Sequence, residues 1–145
     1  DRMSIPIQGN DMNRTMNQWE IQQLTKFNNI SIGAHTKSHT KLSQLSVDSQ
    51  KEEINESKEI LEKISGQKIE IFSYPFGEDE DYTEQTVEIL KTCGIKKAAV
   101  VKQGLYSKEY GEYRIPRNTV NGGTTVRQLK KIIEKSWVEY GEKAI

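Results

Sequence analysis

A single cysteine, Cys93, excludes an internal disulfide framework and leaves the redox compartment open. Net charge is also absent, with 21 lysines and arginines against 21 aspartates and glutamates. That balance argues against a broad electrostatic surface for nucleic acid or an anionic membrane. No apolar run approaches the roughly 18 residues of a membrane-spanning helix. Apolar residues are thinly supplied: Leu, Ile, Val and Phe make about 23% of the chain, close to the ~20% associated with disorder. What is present leans towards isoleucine, 16 residues of it, a β-branched type that suits strands. The 145 residues are the length of one domain and can bury a real core.

Helical and extended patterns alternate along the chain. Residues 1–16 are polar, carry Pro6 and Gly9 and show no period, which predicts an irregular N-terminal segment. Trp19, Ile21, Leu24 and Phe27 then recur at helical spacing behind Asn17, a good N-cap. Ile30-Ser31-Ile32-Gly33-Ala34 reads as a short strand. Ser46 or Ser49 can cap a second helix, with Glu52 and Glu53 in its first turn, a stripe of Ile54, Ser57, Leu61 and Ile64, and Gly66 as its stop. The charge-dense stretch Lys51–Lys63 reads as a solvated helix face. Ile69, Ile71 and Phe72 make a strand ending at Tyr74-Pro75-Phe76-Gly77. A third helix places Val87, Leu90 and Cys93 on one face and ends at Gly94. Lys97–Val101 is a buried-strand candidate, and Pro116 keeps Tyr113–Arg117 extended. Thr124 or Thr125 opens a last helix whose Leu129, Ile132, Ile133, Trp137 and Tyr140 are expected to face inward. The alternation predicts an α/β domain with a largely parallel sheet, open or barrel-like.

The two histidines of the chain, His35 and His39, stand four apart just past a predicted strand. Imidazoles at that spacing on a helical turn can converge on one metal ion, although histidines with no ligand role meet the same spacing. Thr36 stands where zinc proteases of the HExxH type carry their glutamate base. Phe72-Ser73-Tyr74-Pro75-Phe76-Gly77 also closes a strand: Pro75 holds Tyr74 extended, and Gly77 permits a turn that can aim a backbone N–H at a reacting carbonyl oxygen. An ordinary strand end followed by a turn has the same composition.

Taken in order, Ile32-Gly33-Ala34-His35-Thr36-Lys37-Ser38-His39-Thr40, the helix bearing Glu56-Ser57-Lys58, and Phe72-Ser73-Tyr74-Pro75-Phe76-Gly77 resemble the polysaccharide deacetylases (NodB-homology domain, carbohydrate esterase family four). Tyr113-Arg114-Ile115-Pro116-Arg117 is similar to a segment that follows in many members, so the likeness spans about residues 17–120. It implies a deformed (β/α) barrel, present here in part, and hydrolysis of acetyl groups on an N-acetylated polysaccharide, a hydrolase reaction on carbon–nitrogen bonds. By the same likeness His35 and His39 are ligands of a divalent metal, zinc being expected, with Thr36 and Ser38 supporting their loop. Phe76, where the family usually has Tyr, offers its backbone N–H to the oxyanion, and Tyr74 and Pro75 contact the sugar. The implied location is the cell envelope or outside the cell. The Phe-Ser-Tyr-Pro-Phe-Gly form looks most like the branch acting on poly-N-acetylglucosamine of biofilm matrix.

Departures from the family pattern shape the expectation. Its Asp-Asp pair, which supplies the base and a third ligand, has no counterpart among residues 1–145; Glu52-Glu53 and the acidic run Glu78–Asp81 stand in other contexts. A third histidine to act as acid is missing too. Ser73 replaces the arginine that tethers the base in other branches, a role Arg117 can take, unless it serves only in a structural ion pair. (β/α) barrels take roughly 200–250 residues, so the chain is expected to be the C-terminal part of such a domain, residues 17–145, with Asp1 the edge of a truncation or cleavage. By itself it is expected to be inactive. The alternative is a non-catalytic relative that binds glycan or protein through the same cleft.

Overall fold

Local capping signals decide where each helix begins. The computed structural model describes residues 14–104 and 106–142, with backbone alone for 135–142. Asn17 opens α1 (Gln18–Leu24): its side chain accepts the Glu20 N–H while the Glu20 carboxylate accepts the Asn17 N–H. Ser46 caps α2 (Val47–Ser65), and Gly66 closes it in the left-handed region at φ 68°. Thr83 and Thr86 exchange the same reciprocal bonds at the start of α3 (Glu84–Thr92), which ends ahead of Gly94. Thr125 and Gln128 do so for α4 (Val126–Glu142).

Two short strands, β1 (Ile71–Ser73) and β2 (Lys97–Ala99), pair in parallel with Phe72 opposite Ala98. A parallel bridge from Ala34 to Phe72 flanks them on one side and another from Ala99 to Ile115 on the other. Four segments therefore lie side by side in the order in which the chain makes them. The expected strand at 30–34 shrinks to that one bridge, because Ala34 alone trades backbone bonds with β1: its N–H donates to Ile71 O and its carbonyl accepts from Ser73 N–H.

The core lies where this sheet meets α2 and α3. Phe72, Ile69, Ile54, Leu90, Ile95 and Ala98 are buried together there. One polar pair crosses the helix interface: Thr86 Oγ1 donates to Gln50 Oε1 at 2.7 Å, and Gln50 Nε2 donates to the Leu45 carbonyl, so the buried amide is satisfied at both ends.

Among the described residues of α4 the face expected to turn inward is largely uncovered. Leu129 and Ile133 are exposed, Val126 more so, and Ile132 is half-buried. Periodicity identifies the apolar stripe of a helix and is silent on what covers it. Trp137 and Tyr140 lie outside the residues whose side chains are described, as do residues 1–13 of the irregular N-terminal segment. Among the described residues no helix is long and apolar enough to cross a membrane.

Candidate active site

Both sequence motifs leave the sheet at the carboxyl edge of a parallel pair, His35 directly after the Ala34 bridge and Tyr74 directly after β1. That edge is where α/β folds build their sites. His35 Nδ1 lies 2.7 Å from the Ser73 carbonyl oxygen. A carbonyl can only accept, so Nδ1 is the donor, and in the neutral ring this leaves the Nε2 lone pair for a ligand. The His39 ring packs edge-on against His35, centroids 4.8 Å apart, and against Phe76 at 5.0 Å. Two imidazoles and one exposed phenyl ring thus form a row at the mouth of the sheet.

Backbone strain gathers at the same place. Among the described residues the non-glycine positions with positive φ are Thr36 (61°), His39 (56°) and Phe76 (62°). Each costs steric energy that the surroundings must repay, and such residues cluster at functional sites. The left-handed turn leaves the Phe76 N–H without a hydrogen-bond partner among the described residues, available as a donor. Two buried hydroxyls beside His35, Thr36 Oγ1 and Ser73 Oγ, also lack partners there.

Two carboxylates outside the motifs hold the loops. The cap at Ser46 puts Asp48 in the first turn of α2 and Glu53 in the second, correcting the expected placement of Glu52 and Glu53. Nor is the helix face wholly solvated: Glu53 accepts from Lys37 N–H, Ser38 N–H and the Ser38 hydroxyl, and Glu56 pairs with Lys37. Asp81, almost fully buried, bonds Lys41 Nζ at 2.5 Å and the Glu78 N–H at 2.8 Å, while its carbonyl accepts the Ser43 N–H. It ties the exit of the histidine loop to the turn after Phe76-Gly77. Burial pushes the Asp81 carboxyl up, but the Lys41 ammonium and the Glu78 N–H outweigh it and hold the group below its ordinary value. A depressed pKa stabilises the fold above the unfolded value of about 4, and the benefit fades as pH falls through the folded value. Asp81→Ala should therefore cost about 1–2 kcal/mol at pH 7, with the gap to the parent narrowing at pH 3 in urea unfolding. An equal gap at both pH values would show that the ionised carboxylate is not what stabilises.

The two residues expected to contact the sugar are buried. Tyr74 is 1% exposed, its ring stacked on Tyr82 at 4.1 Å and its hydroxyl donating to the Tyr113 carbonyl. Pro75 is buried beside it. Both are covered by the chain itself; strand alternation puts Tyr74 on the same inner face as Phe72, and the left-handed backbone at Phe76 turns that ring out, 53% exposed, as the open aromatic surface. Arg117 makes no ion pair among the described residues; its Nε donates to the Val100 carbonyl at 3.0 Å. A separate depression of about 340 Å³ is lined by Asp79, Tyr82, Thr83, Glu84 and Arg114, without either histidine.

The imidazole pair suits a divalent metal in donor type and in the neutral tautomer that the Ser73 carbonyl favours on His35, and would supply two ligands. A catalytic zinc takes three protein ligands, and no group of three metal-donating side chains occurs among the described residues. The pair therefore fits as part of a metal site.

An α/β fold with histidines and an unpaired backbone donor at the carboxyl edge of its sheet has its polar groups where folds of this class build their sites. The sequence profile of the polysaccharide deacetylases matches residues 7–98, and the chain belongs to that family. It is 30% identical over 105 residues to YxkH of Bacillus subtilis strain 168, a protein named for polysaccharide deacetylation, covering 72% of this chain and 37% of that one. The deacetylase PplD of Streptococcus pyogenes, solved with acetate, superposes with a TM-score of 0.75 at 22% identity over 83% of this chain and 52% of its own. The same fold, at TM-score 0.56 and 14% identity over 85% of this chain and 47% of the other, occurs in BA3943 of Bacillus anthracis, a family-four pseudoenzyme of which a variant with restored activity has been solved. The chain thus spans between about a third and a half of the length of these proteins.

Proposed function

We propose that the chain is part of a divalent-metal-dependent hydrolase that removes acetyl groups from an N-acetylated polysaccharide, and that its four parallel segments form part of the wall of a deformed (β/α) barrel. The observation that carries this reading is the His35–His39 pair, with His35 Nδ1 donating to the Ser73 carbonyl, next to the unpaired Phe76 N–H. His35 and His39 would hold the metal, and zinc is among the ions that imidazole donors suit. Such an ion polarises an acyl carbonyl and lowers the pKa of a water. The Phe76 N–H would donate to the oxyanion, and the exposed Phe76 ring offers the sugar an apolar face. A polymeric substrate of this kind places the protein in the cell envelope or outside the cell, and the branch that acts on poly-N-acetylglucosamine is the nearest in motif style.

No carboxylate joins the imidazole pair among the described residues, so no base stands ready there. The expected result is that the 145 residues alone release no acetate from N-acetylglucosamine oligomers. Release should appear when a segment carrying the family's aspartate pair is supplied, and disappear again with a chelator. Turnover by the chain alone would show that a base has been missed; no turnover with the added segment would favour the second reading. That reading is a non-catalytic glycan- or protein-binding relative, and what favours it is that no third donor joins the pair among the described residues.

A further inference from the structure

His39 has to be held in the left-handed region, and so does Thr36 three residues before it. Neither is a glycine, and neither hydroxyl nor ring of these two residues makes a hydrogen bond that secures the turn. The securing group comes from another element. Glu53 Oε2 accepts the consecutive N–H groups of Lys37 and Ser38 at 3.0 and 2.9 Å, and Oε1 accepts the Ser38 hydroxyl at 2.7 Å. Successive backbone N–H groups turned on one point make a concave site for an anion, and a charged acceptor there binds more strongly than a neutral one. One helical turn further on, Glu56 meets the Lys37 ammonium, so α2 grips the loop by two carboxylates at i, i+3.

We propose that Glu53 is the positioning residue for His39: it fixes the two residues immediately before the imidazole and so sets where that ring stands against His35 and Phe76. The consequence for metal binding rests on the function proposed for the site; the consequence for the loop does not. Both carboxylate oxygens of Glu53 are taken up by Lys37 and Ser38, and Glu53 acts through that backbone.

The test uses the 145-residue chain with Glu53→Ala, Glu53→Gln and Glu56→Ala. Zinc affinity is read by competition with a chromophoric chelator, and amide hydrogen exchange at residues 36–40 is read without metal. Glu53→Ala should weaken zinc binding by about 10–100-fold, as loss of an outer partner of a metal ligand does, and should speed exchange at 36–40 while β1 and α3 stay protected. Glutamine keeps an acceptor for the N–H groups and can donate to the Ser38 hydroxyl, so Glu53→Gln should recover most of both. Glu56→Ala should stay close to the parent. Unchanged exchange at 36–40 in Glu53→Ala would overturn the proposal, as would faster exchange spread over the whole chain, which marks a merely structural role. If the parent takes up no zinc, the metal reading of the site fails and the exchange result alone decides the role of Glu53.

Discussion

Exchange of His35 for alanine should lower the zinc affinity of the chain by more than the roughly 10–100-fold that loss of an outer-shell partner costs, because it removes one of two ligands outright. The more informative variant is His35→Asn. Its side-chain amide can still donate to the Ser73 carbonyl, the partner that holds His35 Nδ1 at 2.7 Å, yet it presents nothing in place of the imidazole Nε2. The asparagine chain should unfold at the temperature of the parent while binding zinc as poorly as the alanine chain. Competition titration of both, beside a thermal melt, separates the ligand role from the packing role. An affinity within threefold of the parent in both variants would remove His35 from the ligand set.

The largest loss of stability is expected at Gly77. Its φ is 80°, and a Cβ there would stand 2.9 Å from Val101 Cγ2 and 3.0 Å from Val101 N, the atom that donates to the Gly77 carbonyl. A left-handed L-residue costs about 1–2 kcal/mol and overpacking about 1–3 kcal/mol, so Gly77→Val should cost on the order of 3 kcal/mol. At roughly 2–4 °C per kcal/mol for a chain of this size, the melting temperature should fall by about 6–12 °C. Gly66 supplies the control: its φ is 68° and no atom lies within 4 Å of where a Cβ would stand, so Gly66→Ala should show the conformational cost alone. Equal shifts for Gly77→Val and Gly66→Ala would mean that Val101 moves aside and the contact is slack.

Local signals in the sequence read well. Asn17, Ser46 and Gly66 do what a cap or a stop does, because the bonds they make lie within four residues of themselves. The placement of both motifs at strand ends was equally legible, since alternating helix and strand patterns demand a parallel sheet and a parallel sheet has one carboxyl edge. Tyr74 was legible in principle: it stands two residues after Phe72, and period two sends both to the same buried face. Glu53 was not. It reaches Ser38 across 15 residues, and nothing in a charged helical stretch distinguishes the carboxylate that turns towards a loop from its neighbours in water. Asp81 is a similar case, one acid of an acidic run that is buried because Lys41 comes to it from another loop. The exposed stripe of α4 failed for a further reason: amphipathicity is a property of one helix, and burial is a property of two surfaces.

The side-by-side order of the four sheet segments bears on how the chain is made. Each hydrogen-bonded neighbour is also the next segment in sequence, from Ala34 to β1, then β2, then Ile115. During synthesis, β1, β2 and the Ile115 segment each find the preceding partner already emerged. These segments can be laid down strip by strip from the ribosome, and His35, just past the Ala34 strip, meets the Ser73 carbonyl as soon as β1 docks.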